Sequence, residues 1–322
     1  MTTGAHGNRP TKNQRREDAR AQAKASRESQ AKKEKRRKVL VQLGVVVGIL
    51  AVVAVIAGVF LAPKPGADGA RPANMASDGI VLTAELDAKG NPTGNIVAVT
   101  NAALANGAAP IPTSPVAGKL NIVEYQDYQC PVCKNFDEND SEVIINRVKS
   151  GAATYEIHPI AFLNNQSQGT MYSTRSANAA ACVANYEPNS FLAFNQIMFT
   201  NQPEEGSTGL SDEQIIGYAD QATGTANASI ADCITNQTFA GWVSEATKRV
   251  MDATTLPNSD VKFSGTPQVL VNGAYYDTSK RPGAFANGNF VPADFEAFLL
   301  EQAGKMVVPT AAPTPTPTPS KK

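Results

Sequence analysis

The spacing of hydrophobic residues between positions 79 and 306 predicts short strands separated by helices. Runs rich in β-branched and aromatic residues, which favour strands, occur at five places. These runs are Ile80–Thr83, Ile96–Thr100, Leu120–Tyr128, Ala153–Pro159 and Val269–Val271. An Asn-Gly pair follows the last run and predicts a hairpin turn into a final strand at residues 274–276.

Helical spacing of hydrophobic residues occupies most of the remaining chain in this region. It predicts a helix from Cys130 to about Lys149, an almost continuous helical stretch at residues 173–255 and a closing amphipathic helix at residues 292–305. Within the long stretch, Ser211 and Gln214 have the spacing of a capping box. The order of elements predicts an α/β fold, in which a βαβ half and a ββα half flank a helical insert at about residues 170–258.

The longest hydrophobic run, Val39–Ala62, predicts a transmembrane helix ahead of this domain. Its 24 residues would extend roughly 36 Å as a helix, enough to cross a hydrocarbon core of about 30 Å. A cluster of Lys and Arg at residues 32–38 precedes it directly. By the positive-inside rule, residues 1–38 would be cytoplasmic and the remainder extracytoplasmic. A cleaved signal peptide is the alternative, but its hydrophobic segment should be only about 7–15 residues long.

Charge and composition divide the rest of the chain. Residues 1–38 hold 13 basic and 4 acidic side chains, although the whole chain has 29 of each. This basic arm contains no aromatic residue, so we predict contact with a lipid bilayer through the anchor and no nucleic-acid partner. Residues 63–78 are rich in Pro, Gly and Ala, which predicts a linker. Residues 307–322 are rich in Pro and Thr, which predicts an extended tail.

Two of the four cysteines form the motif Cys130-Pro131-Val132-Cys133 where a predicted strand meets a helix. At the N-cap position, the thiolate of Cys130 is favoured by the amides of the first turn and by the helix dipole, and Pro131 suits the first helical position. Such an environment lowers a thiol pKa from about 8.5 to about 3.5–7.5. We therefore predict that Cys130 is a nucleophile and that Cys133, one turn later, is the resolving thiol.

The other chemistry-bearing residues give weaker signals. Zinc is the alternative for a Cys-x-x-Cys motif, but a second ligand pair is missing because His6 and His158 are the only histidines. We predict no metal and no organic cofactor. Cys182 and Cys233, both in helical sequence, are predicted to form a structural disulfide; two buried free thiols are the alternative.

Two segments resemble those of a known family. The sequence EYQDYQCPVC at residues 124–133 is similar to the active-site strand and helix start of DsbA-like thioredoxin-fold oxidoreductases. The sequence SGTPQVLVNG at residues 264–273 resembles the cis-proline loop of that family. The resemblance extends over about residues 120–305 and implies that the Thr266–Pro267 bond is cis and lies beside Cys130.

The same resemblance assigns roles to further residues. Glu124 matches the buried acid that exchanges a proton with the resolving thiol; a solvated strand glutamate is the alternative. Strongly oxidising members of the family have His where this chain has Val132, which implies a less oxidising dithiol. His158 is not at a motif position, and we predict a strand-end or surface residue without a catalytic role.

Together these features predict a membrane-anchored, extracytoplasmic thiol–disulfide oxidoreductase. The resemblance implies exported proteins with thiols or disulfides as substrates and a membrane redox partner. The same chemistry could run in the reductase or isomerase direction. A non-catalytic envelope binding protein or a chaperone-like protein is the alternative from another class.

Overall fold

The computed structural model describes residues 69–306, and over this range the chain forms eight strands and seven α-helices. The strands are β1 (Ile80–Leu86), β2 (Pro92–Ala98), β3 (Leu120–Gln126), β4 (Ala153–Pro159), β5 (Gln268–Val271), β6 (Ala274–Tyr275), β7 (Phe285–Ala286) and β8 (Asn289–Phe290). The helices are α1 (Pro131–Lys149), α2 (Tyr172–Tyr186), α3 (Phe191–Thr200), α4 (Asp212–Thr223), α5 (Ala228–Thr235), α6 (Ala240–Asp252) and α7 (Pro292–Gly304).

Six of the strands form one sheet in the order β2-β1-β4-β3-β5-β6, and β7 pairs with β8 in a separate hairpin. Strands β3 and β4 are parallel, and the other neighbours in the sheet are antiparallel. Helix α1 joins β3 to β4, and the β5–β6 hairpin leads towards α7. This arrangement confirms the predicted α/β class, with a βαβ half before the helical stretch and a ββα half after it.

The two faces of the sheet have separate hydrophobic cores because successive side chains of a strand point to opposite sides. On β3, Leu120 and Ile122 belong to the larger core, together with Phe136 and Ile144 of α1. Tyr125 of the same strand belongs to a smaller core on the other face. By this alternation, the Glu124 side chain points to the same face of the sheet as Leu120 and Ile122. Cys133 of α1 belongs to the core on that face.

The helical stretch between β4 and β5 contains helices α2 to α6. A disulfide bond joins Cys182 of α2 to Cys233 of α5, with an S–S distance of 2.02 Å. Closing a loop of this size would stabilise the fold by about 4 kcal/mol in the chain-entropy model. The capping box at the start of α4 is confirmed, since Ser211 Oγ accepts from the Gln214 amide and Gln214 Oε1 accepts from the Ser211 amide.

Tertiary contacts correct one sequence expectation and narrow another. Within the predicted linker, residues 71–78 pack against the domain because the buried Asp78 carboxylate accepts hydrogen bonds from Trp242 Nε1 (3.0 Å) and Arg249 Nε (2.7 Å). His158 does lie near the end of β4, but it is buried rather than at the surface. Its ring stacks on Tyr125 with centroids 4.5 Å apart, and Nε2 lies 3.0 Å from a carboxylate oxygen of Glu156.

Between residues 69 and 306 there is no helix of the length and hydrophobicity needed to cross a membrane. The predicted anchor at residues 39–62 lies outside the described residues, as do the basic arm, residues 63–68 and the tail at residues 307–322.

Candidate active site

The Cys-x-x-Cys motif lies at the junction between β3 and α1. Cys130 is the N-cap residue of α1, with φ −78° and ψ 115°, and Pro131 occupies the first turn. Asp127 shapes the preceding turn: Oδ1 accepts from the Gln129 amide and Oδ2 accepts from the Leu163 amide, both at 2.8 Å. The Cys130 amide donates to the Asp127 carbonyl at 3.0 Å. The junction therefore presents Cys130 at the carboxyl end of β3.

The structure brings the dithiol and the cis-proline loop together. Both motif cysteines are free thiols, with Cys130 4% exposed and Cys133 fully buried. The Cys130 thiol donates a hydrogen bond to the Thr266 carbonyl at 3.3 Å. The peptide bond between Thr266 and Pro267 is cis. Thr266, 136 positions later in the sequence, is thus a direct neighbour of the Cys130 sulfur, which we call the outer sulfur of the pair.

The two thiols have opposite pKa shifts. The hydrogen bond from the Cys133 thiol is the largest influence on Cys130 and lowers its pKa to about 7, against burial, which raises it. A hydrogen bond from the Thr266 side chain and those from the backbone amides of Cys133 and Val132 lower this pKa further. Burial is also the main reason why the pKa of Cys133 is raised well above its usual value. The first-turn amides expected from sequence contribute, but the neighbouring thiol contributes more.

Glu124 is buried rather than solvated, with only 2% of its surface exposed. Burial raises the pKa of this carboxyl to about 8, although a hydrogen bond from the Tyr155 hydroxyl opposes the rise. Negative charge on Glu124 in turn raises the pKa of Cys133. A carboxyl that is protonated near neutral pH and electrostatically coupled to the inner thiol can exchange a proton with it.

Three further acids accompany the site, of which Asp127 and Asp140 are buried and Asp137 is half-buried, and sequence reasoning did not identify them. Burial raises the pKa of Asp127 to about 6 and the pKa values of Asp137 and Asp140 to about 7. Neither carboxylate oxygen of Asp140 has a hydrogen-bond partner in the described part of the chain. The sequence did indicate that Asp140 is near the site, because it follows Cys133 by seven residues and so lies on the same face of the helix. Among the described residues, no cluster of His, Cys, Asp or Glu has a composition that could hold a metal.

A groove of about 240 Å³ opens beside the dithiol. Its lining includes Thr266 and Pro267 of the cis-proline loop, together with Val132 and Phe285. These two apolar side chains are substantially exposed, at 43% and 42% respectively. A larger cavity, of about 760 Å³, lies around Lys119 at the start of β3, and its lining includes neither a residue of the Cys-x-x-Cys motif nor Thr266, the residue that contacts the Cys130 sulfur. We assign the chemistry to the smaller groove because it adjoins the reactive sulfur.

Replacing Glu124 by Gln is expected to slow the step in which Cys133 gains or loses a proton by about a hundredfold. The amide cannot titrate, so the rate change centred near pH 8 in the wild type should disappear. Tyr155→Phe removes the hydroxyl that lowers the pKa of Glu124 and should move this rate change to higher pH. Quenched-flow thiol trapping of mixed-disulfide resolution from pH 6 to 10 would measure both effects. An unchanged rate and pH profile in Glu124→Gln would exclude Glu124 from the mechanism.

Comparison with known proteins agrees with this geometry. The thioredoxin family model matches residues 114–287, more than half of the chain. Disulfide bond formation protein D of Bacillus subtilis (strain 168) is 24% identical over 171 residues, covering 52% of this chain and 71% of that protein.

Two solved structures are also similar. Reduced DsbA from Mycobacterium tuberculosis is 22% identical, with a TM-score of 0.48, and the match covers 71% of this chain and 94% of that one. Oxidised BdbD from Bacillus subtilis is 14% identical, with a TM-score of 0.48 and coverage of 73% and 97%. The family match, together with the paired thiols beside a cis-proline, leads to one conclusion. This chain belongs to the thioredoxin family and is a thiol–disulfide oxidoreductase.

Proposed function

We propose that the chain exchanges disulfides with exported proteins in the extracytoplasmic space, through the Cys130-Pro131-Val132-Cys133 dithiol. One observation supports this above all: the outer thiol, Cys130, has a lowered pKa and contacts the cis-proline loop, while the inner thiol, Cys133, has a raised pKa. Such a pair is suited to successive thiolate attacks, because one sulfur leaves as a stable anion while the other retains its proton.

In the oxidising direction, the enzyme begins with a Cys130–Cys133 disulfide. A substrate thiolate attacks the Cys130 sulfur, forming a substrate–Cys130 disulfide while the bond to Cys133 breaks. Cys133 leaves with the electron pair and takes a proton from Glu124. A second substrate thiolate then attacks the substrate sulfur of the mixed disulfide and releases Cys130 as a thiolate. The substrate loses two electrons, and the enzyme retains them as its dithiol.

The groove beside Cys130 favours an extended, partly apolar substrate segment. Val132 and Phe285 offer exposed apolar surface, and the cis-proline loop leads into β5. A cysteine of the substrate would lie next to the outer sulfur while neighbouring side chains contact this surface. The groove lining includes no charged residue, so charge would not select the bound segment.

The proposed location follows from the sequence before residue 69. The hydrophobic run at residues 39–62, with basic residues directly before it, would anchor the enzyme in the bilayer with its dithiol outside the cytoplasm. Cys182 and Cys233 would then form a stable structural disulfide in an oxidising compartment. A membrane redox partner would reoxidise the Cys130–Cys133 pair after each cycle.

The reduction potential of the dithiol tests the proposed direction. A lower pKa of the outer thiol stabilises the reduced form, and a value of about 7 is well above the ~3.5 of the strongest oxidants. We therefore expect a potential clearly more negative than the roughly −120 mV of the strongest oxidants, between about −180 and −230 mV, measured by glutathione equilibration and thiol trapping of the full chain. A potential of about −270 mV or lower would contradict net oxidation and favour the reductase direction.

A further inference from the structure

The helical insert contacts the β3–α1 junction through a side chain that the mechanism above does not use. Gln202, in the loop after α3, donates from Nε2 to the Tyr128 carbonyl at 3.0 Å and to the Cys130 carbonyl at 2.9 Å. The Cys130 carbonyl also accepts the Lys134 amide of α1 at 3.2 Å. One amide group of the insert thus connects two carbonyls on either side of the bend that presents the outer thiol.

A second amide of the insert holds the same junction. Asn195 Oδ1, on α3, accepts from Gln126 Nε2 at 2.5 Å and from the Tyr128 hydroxyl at 2.8 Å. Asn195 is 1% exposed, and the Tyr128 ring packs on Phe199 with centroids 5.2 Å apart. The side chains of Gln126 and Tyr128 are therefore hydrogen-bonded to α3, in addition to the contacts that Gln202 makes with the backbone. The backbone orientation at Cys130 depends on the insert as well as on the sheet.

We propose that Gln202 is a positioning residue, which holds the Cys130 backbone so that the outer sulfur stays directed at the Cys133 thiol and the Thr266 carbonyl. This inference deepens the proposed function and rests on it for the reaction that the sulfur performs. Without the two donated hydrogen bonds, the Tyr128 and Cys130 carbonyls can turn towards water, and the bend that they enclose can change its dihedral angles.

The effect acts through geometry rather than through charge. The titratable groups coupled to the Cys130 sulfur are Cys133 on α1 and Glu124 on β3. The insert contributes a neutral amide at this point. The nearby Lys134 ammonium contacts the Thr200 carbonyl at 3.5 Å and Glu138 at 3.5 Å. Replacing Gln202 by an uncharged residue therefore changes the orientation of the sulfur without adding or removing a charge.

Two variants of the full chain test the proposal. Gln202→Met retains the length of the side chain and removes both donors, whereas Gln202→Glu retains its shape and turns a carboxylate towards two carbonyl oxygens. The matched control is Gln237→Met, because Gln237 Nε2 donates to the Ile234 carbonyl at 2.8 Å within the insert itself. The measurement is the pH dependence of Cys130 alkylation by iodoacetamide, with exchange against a dithiol peptide measured in parallel.

We expect the midpoint of alkylation to rise by about one pH unit in Gln202→Met, which means about tenfold slower alkylation at pH 6. The rise should be absent in Gln237→Met and larger in Gln202→Glu, where the added negative charge also raises the Cys130 pKa, so Gln202→Met is the variant that tests geometry. An unchanged midpoint in Gln202→Met overturns the proposal, even if its melting temperature falls, since that result shows a structural role only. Oxidation of the dithiol peptide by the wild type and by Gln237→Met tests the proposed function separately. The alkylation midpoints do not depend on whether the peptide is oxidised, so the two proposals can fail independently.

Discussion

Replacing Cys130 by Ser is expected to reduce disulfide exchange by about three orders of magnitude or more, to the uncatalysed rate. A serine hydroxyl is not ionised near neutral pH and cannot form the mixed disulfide. Cys133 cannot take its place, because it is fully buried and its pKa is raised well above the usual value. Oxidation of a reduced substrate protein, followed by thiol trapping, measures the loss.

Cys133→Ser is the informative companion variant. It retains the nucleophile but cannot form the intramolecular disulfide. With a disulfide-containing substrate, the Cys130 thiolate breaks the substrate disulfide and releases one substrate thiolate, so the Cys130–substrate disulfide should accumulate and be visible on non-reducing gels. Cys133→Ala also removes the thiol that contributes most to the lowered pKa of Cys130, and that pKa should rise towards its usual range. Undiminished biological function in Cys130→Ser would instead support the binding-protein or chaperone-like alternative.

Asp140→Asn is expected to make the protein more stable than the wild type at pH 8 and equally stable at pH 4. Burial raises the pKa of Asp140 from 3.8 to about 7 in the folded state. The folded state therefore retains a proton that the unfolded state loses as the pH rises above about 4, and stability falls until the pH passes about 7. At about 1.4 kcal/mol per unit of pKa, the cost above pH 7 approaches about 4 kcal/mol. Asn stays neutral and avoids this cost.

Urea unfolding at pH 4, 6 and 8 would measure this difference. Glu142→Gln is the matched control, since Glu142 lies on the same helix two residues later and is exposed. The pH dependence of the Asp140→Asn difference is compared with that of this control. If the stability difference for Asp140→Asn were the same at pH 4 and pH 8, the carboxyl would be ionised in the folded protein and have a partner that the described residues do not provide.

Local signals explain why much of the fold could be predicted. The β3 run is rich in β-branched and aromatic residues, and Pro131 follows a residue that can cap a helix, so the strand, the junction and the start of α1 follow from neighbouring residues. The Asn272-Gly273 pair likewise indicates the β5–β6 turn. By contrast, a Thr-Pro pair says little about its own isomer, and the cis bond at Thr266 was expected only from the family resemblance.

The sequence by itself determined the order of elements, the α/β class and the position of the paired thiols, because these depend on residues close together along the chain. The tertiary structure decided how reactive those thiols are. Glu124 has a raised pKa because β4 and α1 exclude water from it, and Cys130 meets Thr266 and Gln202 across intervals of 136 and 72 residues. Desolvation and hydrogen bonds between distant residues arise only when the elements pack, and no local pattern of residues specifies them.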